Sequence, residues 1–263
     1  MRLAIDHRTT YRFSEPQRRL TQLLRLHPGD TSNQTVAGWH VHVDCDARMR
    51  HGRDGFGNHT TMLYVDGPVR EIEIAVSGEV MTSDAGGVVR GGAEPLPPAL
   101  FLRFTPLTTP DDAIRAFAEG VRGGTAIEQL HRLNVALFER ATVKEMRLVP
   151  RRTAAQAFAA DAVTPRGMAH IFVAAARVLG VPARYVSGYR SDGAHHSMPH
   201  GWAEAWVDDL GWIGFDATAG LSCDDHYVRV AAALDHAGAA PVAGSRLGEG
   251  TERMDVDVVA RES

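Results

Sequence analysis

Cysteine is scarce: Cys45 and Cys223 are the only two in 263 residues. That scarcity excludes a disulfide framework and any all-cysteine metal site, and it agrees with a reducing compartment. Basic charge is short as well. The formal net charge is −4 and no run of lysine or arginine forms a cationic patch, so phosphate backbones and anionic lipid are not attracted and nucleic acid is excluded as a partner. Long apolar runs are missing too: no segment could span a bilayer. Asp6, His7 and Arg8 stand where a secretory leader would carry its apolar stretch. The expectation is a cytoplasmic protein without a membrane partner. Repeats and low-complexity segments are also absent. What remains, at 44% hydrophobic and 23% charged residues, is the composition of a globular protein long enough for one large or two smaller cores.

The pattern changes along the chain. In the first half, Leu3, Ile5, His7, Thr9, Tyr11 and Phe13 alternate with more polar neighbours. Trp39, Val41, Val43 and Cys45 do the same, as do Ile72, Ile74, Val76 and Val80, which predicts strands. Asp54-Gly55-Phe56-Gly57-Asn58 supplies turn residues between two such runs. Glu94-Pro95-Leu96-Pro97-Pro98 reads as a linker, placing a boundary near Thr105. The division expected is a β-rich domain over 1–105 and a second domain over 106–263. In the second, Thr109-Pro110 predicts a helix start, Ile127, Leu130, Leu133 and Leu137 mark a helix, and Thr153 with Gln156 forms a capping box. Met168, Ile171, Phe172, Ala175, Val178 and Leu179 share one face of a further helix, which Gly180 and Pro182 end. Short strands are predicted from Ala183 to Tyr189, His200 to Val207 and Gly211 to Asp216, with a last one through Met254, Val256 and Val258. The fold class is α+β: a sandwich-like N-terminal β domain, then helices packed on an antiparallel sheet.

The segments 200–207 and 211–216 are joined by three residues, so they form an antiparallel hairpin. Residues whose numbers sum to about 416 to 418 then lie opposite one another, which brings His200 and Asp216 together on one face. A carboxylate beside an imidazole fixes its tautomer, the orienting role in Cys-His-Asp and Ser-His-Asp hydrolases. From pattern alone the pair also fits a cross-strand polar contact on a solvated face.

His200-Gly-Trp-Ala-Glu204, Gly211-Trp-Ile-Gly-Phe-Asp216-Ala-Thr218 and Val181-Pro-Ala-Arg-Tyr-Val-Ser-Gly-Tyr189 resemble the transglutaminase-like family of bacterial proteins. Asp6-His-Arg-Thr-Thr-Tyr11, Arg25-Leu-His-Pro28 and Asp54-Gly-Phe-Gly-Asn58 are similar to the β domain that precedes the core in that family. The resemblance implies a papain-like arrangement: a cysteine at the start of a buried helix attacks an amide, His acts as general base, and Asp orients it. His200 and Asp216 match the last two roles. Counting back from Ala169-His170 and forward from Thr153-Ala-Ala-Gln156 both put Pro165 where the cysteine belongs. Thr164-Pro165 suits an N-cap and first helical residue, so the helix can begin unchanged without a thiol.

Three functional readings follow. The first is a pseudoenzyme that binds a peptide or protein partner, with Trp202, Glu204 and Tyr189 contacting the ligand and no cofactor. The second is an active amide hydrolase or acyl transferase with a displaced nucleophile, Cys223, or a metal held by His195, His196 and His200 with Glu204 beyond. The third is a purely structural subunit, in which the cleft beside His200 would be filled. Trp202, Trp206 and Trp212 either line a groove or pack the sheet, and Arg184 with Glu204 suggests an ion pair.

Overall fold

A computed structural model describes residues 1–144, 152–192, 194–196 and 198–263. The first half forms strands β1 (Arg2–Leu24), β2 (Gln34–Val43), β3 (Arg48–Arg53) and β4 (His59–Thr82). Helices α1 (Asp112–Gly120), α2 (Ala126–Arg140), α3 (Ala154–Phe158) and α4 (Pro165–Val178) follow, then strands β5 (Ala183–Arg190), β6 (His200–Val207), β7 (Gly211–Asp216) and β8 (Tyr227–Ala233). A single helical turn, α5 (His236–Ala239), leads to β9 (Val242–Leu247) and β10 (Glu252–Glu262). Among the described residues no helix is long and apolar enough to cross a membrane.

Two antiparallel sheets carry the molecule. The first runs β2-β4-β1-β10, with β3 also on β4 and β9 also on β1; the second runs β7-β6-β5-β8. The sandwich-like half is therefore one sheet folded over its own core. β1 is continuous for 23 residues, but its register with β4 slips between Arg12 and Arg19. The two arms it creates, with Tyr11 and Phe13 on one and Leu20 and Leu24 on the other, share a single apolar cluster with Leu63, Val65, Ile72 and Ile74. A bulge bends the strand that carries it, which is how one sheet wraps a core without a second. The boundary near Thr105 does not follow sheet membership to the end of the chain. β9 and β10 return to pair with β1, so residues 242–262 stand in the first sheet and not in the core expected over 106–263.

The helices cover one face of the second sheet. α4 was expected to bury one face, yet Gly167 to Arg177 are buried all round it, because α1, α2 and α3 pack on the side away from the sheet. A helix apolar on every side belongs in a core. Its one deep charge, Arg177, is 4% exposed and donates to the carbonyls of Phe101, Ala183 and Leu234 and to Thr108 Oγ1. The helix starts behave as local chemistry demands, with one correction. Thr125 and Thr153 each make the reciprocal capping box, whereas α1 is capped by Asp111, whose side chain accepts from Ile114 N, rather than by Thr109.

The outer edge of β8 is closed by two side-chain amides of the first half. Gln34 Nε2 donates to Arg229 O at 2.9 Å and Gln34 Oε1 accepts from Arg229 N at 2.7 Å. Asn58 Nδ2 donates to Ala232 O at 2.9 Å and its Oδ1 accepts from Ala232 N at 2.8 Å. Each amide presents the donor and acceptor that a neighbouring strand would offer. Asp54 braces Asn58 at 3.0 Å and is itself ion-paired with Arg25, so the turn 54–58 is a docking element as well as a connection. Truncating Asn58 strands a buried N–H and C=O, each costing about 1–3 kcal/mol. Asn58→Ala is therefore expected to lower stability by at least about 2 kcal/mol in urea unfolding, and a loss too small to measure would show that the edge does not depend on the clamp.

Candidate functional site

The hairpin of β6 and β7 has Glu204 opposite Gly214 and Trp206 opposite Trp212, a register sum of 418. His200 and Asp216 are thus diagonal neighbours on one face. His200 Nε2 lies 2.7 Å from Asp216 Oδ2. The ring is wedged in place: Trp202 stacks on it at a centroid distance of 6.2 Å, and Tyr227 leans on it at 6.1 Å. With Nε2 turned to the carboxylate, Nδ1 is the nitrogen left to act as base or acceptor.

Asp216 is 1% exposed. Tyr227 Oη donates to its Oδ2 at 2.8 Å, Thr218 N and Oγ1 donate to its Oδ1 at 2.9 and 2.7 Å, and Arg190 stands 3.8 Å away. Burial by itself would raise the carboxyl pKa, but His200 and the hydrogen bonds from His200, Thr218 and Tyr227 outweigh it and hold the group well below the usual carboxylate range. The acid is a fixed anion at any physiological pH.

His200 opens on a cavity of about 280 Å³ whose wall also includes Thr164, Pro165 and Arg166 at the start of α4, Tyr189 and Thr218. Thr164 caps α4 by accepting from Gly167 N at 3.2 Å, and Pro165 is the first helical residue. α4 therefore starts as the sequence predicts, and its first turn shares a cavity with His200.

The other candidate residues divide sharply. Tyr189 lines the cavity, but its hydroxyl is bonded to His7 Nδ1 at 2.9 Å. Glu204 cannot serve a ligand: it is 0% exposed, with Arg184 Nε at 2.6 Å and Arg229 Nε at 2.7 Å. Burial would raise its pKa, and the two guanidinium groups more than reverse that. Trp202 is 2% exposed behind His200. Trp212 lies against Arg184, whose guanidinium carbon is 3.8 Å from the ring centroid, and Trp206 bonds Asp208. The tryptophans pack the sheet and build no groove. Gly201 belongs to the same packing, since a Cβ there would strike Tyr185 Oη.

Among the described residues, neither Cys223 nor the three histidines are assembled as a reactive centre. Burial, with Asp216, Glu204 and Asp224 nearby, pushes the Cys223 thiol well above its ordinary pKa, the reverse of an activated cysteine. Cys45 packs, partly buried, against the first sheet's core. His195 pairs with Asp257, His196 with Asp192 and His200 with Asp216, so the three histidines do not converge. Among the described residues, Asp224, Asp225 and His226 are the one group close enough to share an ion, and acidic surface clusters are common without one. Sequence reasoning missed Arg190, Thr218 and Tyr227 as partners of Asp216. Thr218 stood inside a quoted motif, but the other two reach the site through strand pairing and the loop after β7.

The Transglutaminase-like superfamily pattern matches residues 115–217, and that of the Bacterial transglutaminase-like N-terminal region matches residues 3–81. The chain belongs to the bacterial transglutaminase-like family. Its fold is that of a candidate cysteine protease from Cytophaga hutchinsonii, at 18% identity and a TM-score of 0.77 over 100% of this chain and 91% of that one. An uncharacterised protein of Mycobacterium leprae is 26% identical over 273 residues, covering 98% of this chain and 97% of its own.

Two buried histidines next to the cavity give the family member a defined acid response. His7 and His170 are both lowered by burial to a pKa of about 4, and His170 Nε2 accepts from His236 N, which requires the neutral ring. Between the unfolded value near 6.5 and about 4 the unfolded chain binds protons that the folded chain does not, so stability rises with pH across that window and falls on acidification. Urea midpoints should decline as pH drops from about 6.5 to about 4, and His7→Gln should remove part of the slope. A slope unchanged by the substitution would show that His7 is not the titrating group.

Proposed function

We propose that this transglutaminase-like protein is a pseudoenzyme that binds a peptide or protein ligand beside His200 without cleaving it. The observation that carries the reading is the first turn of α4: Thr164 and Pro165 face the same cavity as the oriented His200, at the place where the family's nucleophilic cysteine is expected. An acyl-transfer site needs a nucleophile within hydrogen-bond reach of its base, and proline offers none. The orienting half of the site is intact, the cavity is open, and the thiol of Cys223 is disfavoured as a nucleophile. A cavity lined by the partly accessible His200 also speaks for a binding role over that of a purely structural subunit. The free cysteines Cys45 and Cys223 agree with action in the cytoplasm.

The helix N-terminus that lowers a thiol pKa in such enzymes is retained with its cap. Pro165→Cys is accordingly expected to react with iodoacetamide near neutral pH faster than Cys45 or Cys223, and to lose that advantage in combination with His200→Ala. The unaltered protein should leave peptide and isopeptide substrates intact. Turnover by the unaltered protein that disappears in His200→Ala would sink the reading.

A further inference from the structure

A second, larger cavity of about 720 Å³ adjoins the one beside His200, and Arg166, Met198, Pro199 and His236 line both. Its volume is within the range of ligand sites. It lies on the concave side of the folded first sheet, where Thr9 and Tyr11 of one arm of β1 face Gln22 of the other.

β9 has one strand neighbour among the described residues, β1, so no described strand pairs with the N–H and C=O groups of its other edge. The cavity is lined by consecutive residues, Ala240 through Arg246. In a strand, alternate side chains point to opposite faces, so an unbroken run means that the backbone edge itself borders the space. β9 is six residues long, about 20 Å at the rise of an extended chain. It runs from the Leu247 end back to Val242, Pro241 and Ala240, beside His236 and the mouth of the His200 cavity.

One buried side chain in this cavity has an unmet requirement. Gln22 is 6% exposed, and its Oε1 has no hydrogen-bond partner among the described residues. Its cross-strand partner is Gly244, so no side chain of β9 covers the amide. A buried acceptor of this kind calls for a donor.

We propose that the free edge of β9 accepts an extended peptide as an added strand, a polar side chain of which, on the sheet face that Gln22 shares, donates to Gln22 Oε1, and that the strand leads onward into the cavity beside His200. Main-chain pairing gives such a site affinity for extended peptides of varied sequence, and side-chain pockets along the strand select among them. The inference rests on the ligand-binding reading above and specifies the kind of ligand and its path.

The test uses the full chain, labelled with ¹⁵N, and an end-blocked four-residue alanine–serine peptide. Amide shifts at residues 242–246 and at the Gln22 side-chain NH₂ are expected on titration. An N-methylated version of the same peptide, which has no backbone donor, is expected to lose them, as is Gln22→Leu; the methylated probe keeps the test valid if that variant misfolds. Shifts confined to residues around His200 would overturn the strand-addition site while leaving ligand binding there intact. An equal response to the methylated peptide would overturn it as well, as would edge signals lost on concentrating the protein alone, which would mean pairing of two copies. Cleavage of the bound peptide with edge shifts present would support this site and remove the non-cleaving reading instead.

Discussion

An open strand edge cannot be left bare inside a molecule, and the closure of β8 decides how the two sheets of this protein meet. A further strand would have continued the sheet across the interface. Two amides, Gln34 and Asn58, instead satisfy Arg229 and Ala232 on both their N–H and C=O groups. A primary amide carries the donor and acceptor of a peptide group on a freely directed stem, so the edge is paired while the sheet ends. The two sheets then sit at a fixed offset, and the concave side of the first is brought to the end of the second where α4 begins. Both cavities owe their walls to that offset. His7, Thr9 and Tyr11 come from the first sheet, and Arg166 and His236 from elements built on the second.

A second constraint operates within the core sheet. The hairpin face that bears His200 and Asp216 also bears Glu204, and both carboxylates are buried. Burying a carboxylate is affordable only where cations and donors surround it. Glu204 receives two guanidinium groups, and Arg184 is in turn held by Glu94 of the linker at 2.7 and 2.9 Å. The linker is thereby fastened to the strand beside the hairpin that carries His200 and Asp216. The Glu204 network and the Asp216 network lie on one sheet face with Trp202 beside them, so the dyad stands on a rigid polar layer.

Much of this was legible because its causes are local. The limits of β6 and β7, the hairpin register, the capping box at Thr153 and the cap at Thr164 depend on residues a few positions apart, and the structure reproduces them. What stayed hidden depends on distance. β1 reads as a strand only from Leu3 to Phe13, because nothing in its sequence announces that the strand bends there and continues to Leu24. The return of β9 and β10 to β1 is a pairing between chain ends. Glu204 looks like a ligand contact in its motif because Arg229, its second cation, is 25 residues away. Asn58 looks like a turn residue until Ala232, 174 residues on, is placed opposite it. The three histidines at 195, 196 and 200 look like a metal set because their acidic partners, Asp257, Asp192 and Asp216, are not adjacent in sequence.

Retention of the His200–Asp216 pair beside a proline also has a physical reason that does not require chemistry. Asp216 accepts hydrogen bonds from Thr218 N, Thr218 Oγ1, Tyr227 Oη and His200. It thus joins the end of β7 to the start of β8. Losing the carboxylate would leave several buried donors unmatched at about 1–3 kcal/mol each, a large part of the about 5–15 kcal/mol that keeps a domain folded. A cysteine at the helix start has no comparable duty. Its backbone role is performed as well by proline, which has no N–H to lose at the first helical position and a φ already suited to it. Asp216, and His200 through it, are held by the fold, whereas the nucleophile is held only by its reaction. A site of this construction can lose its chemistry in one substitution and keep its shape.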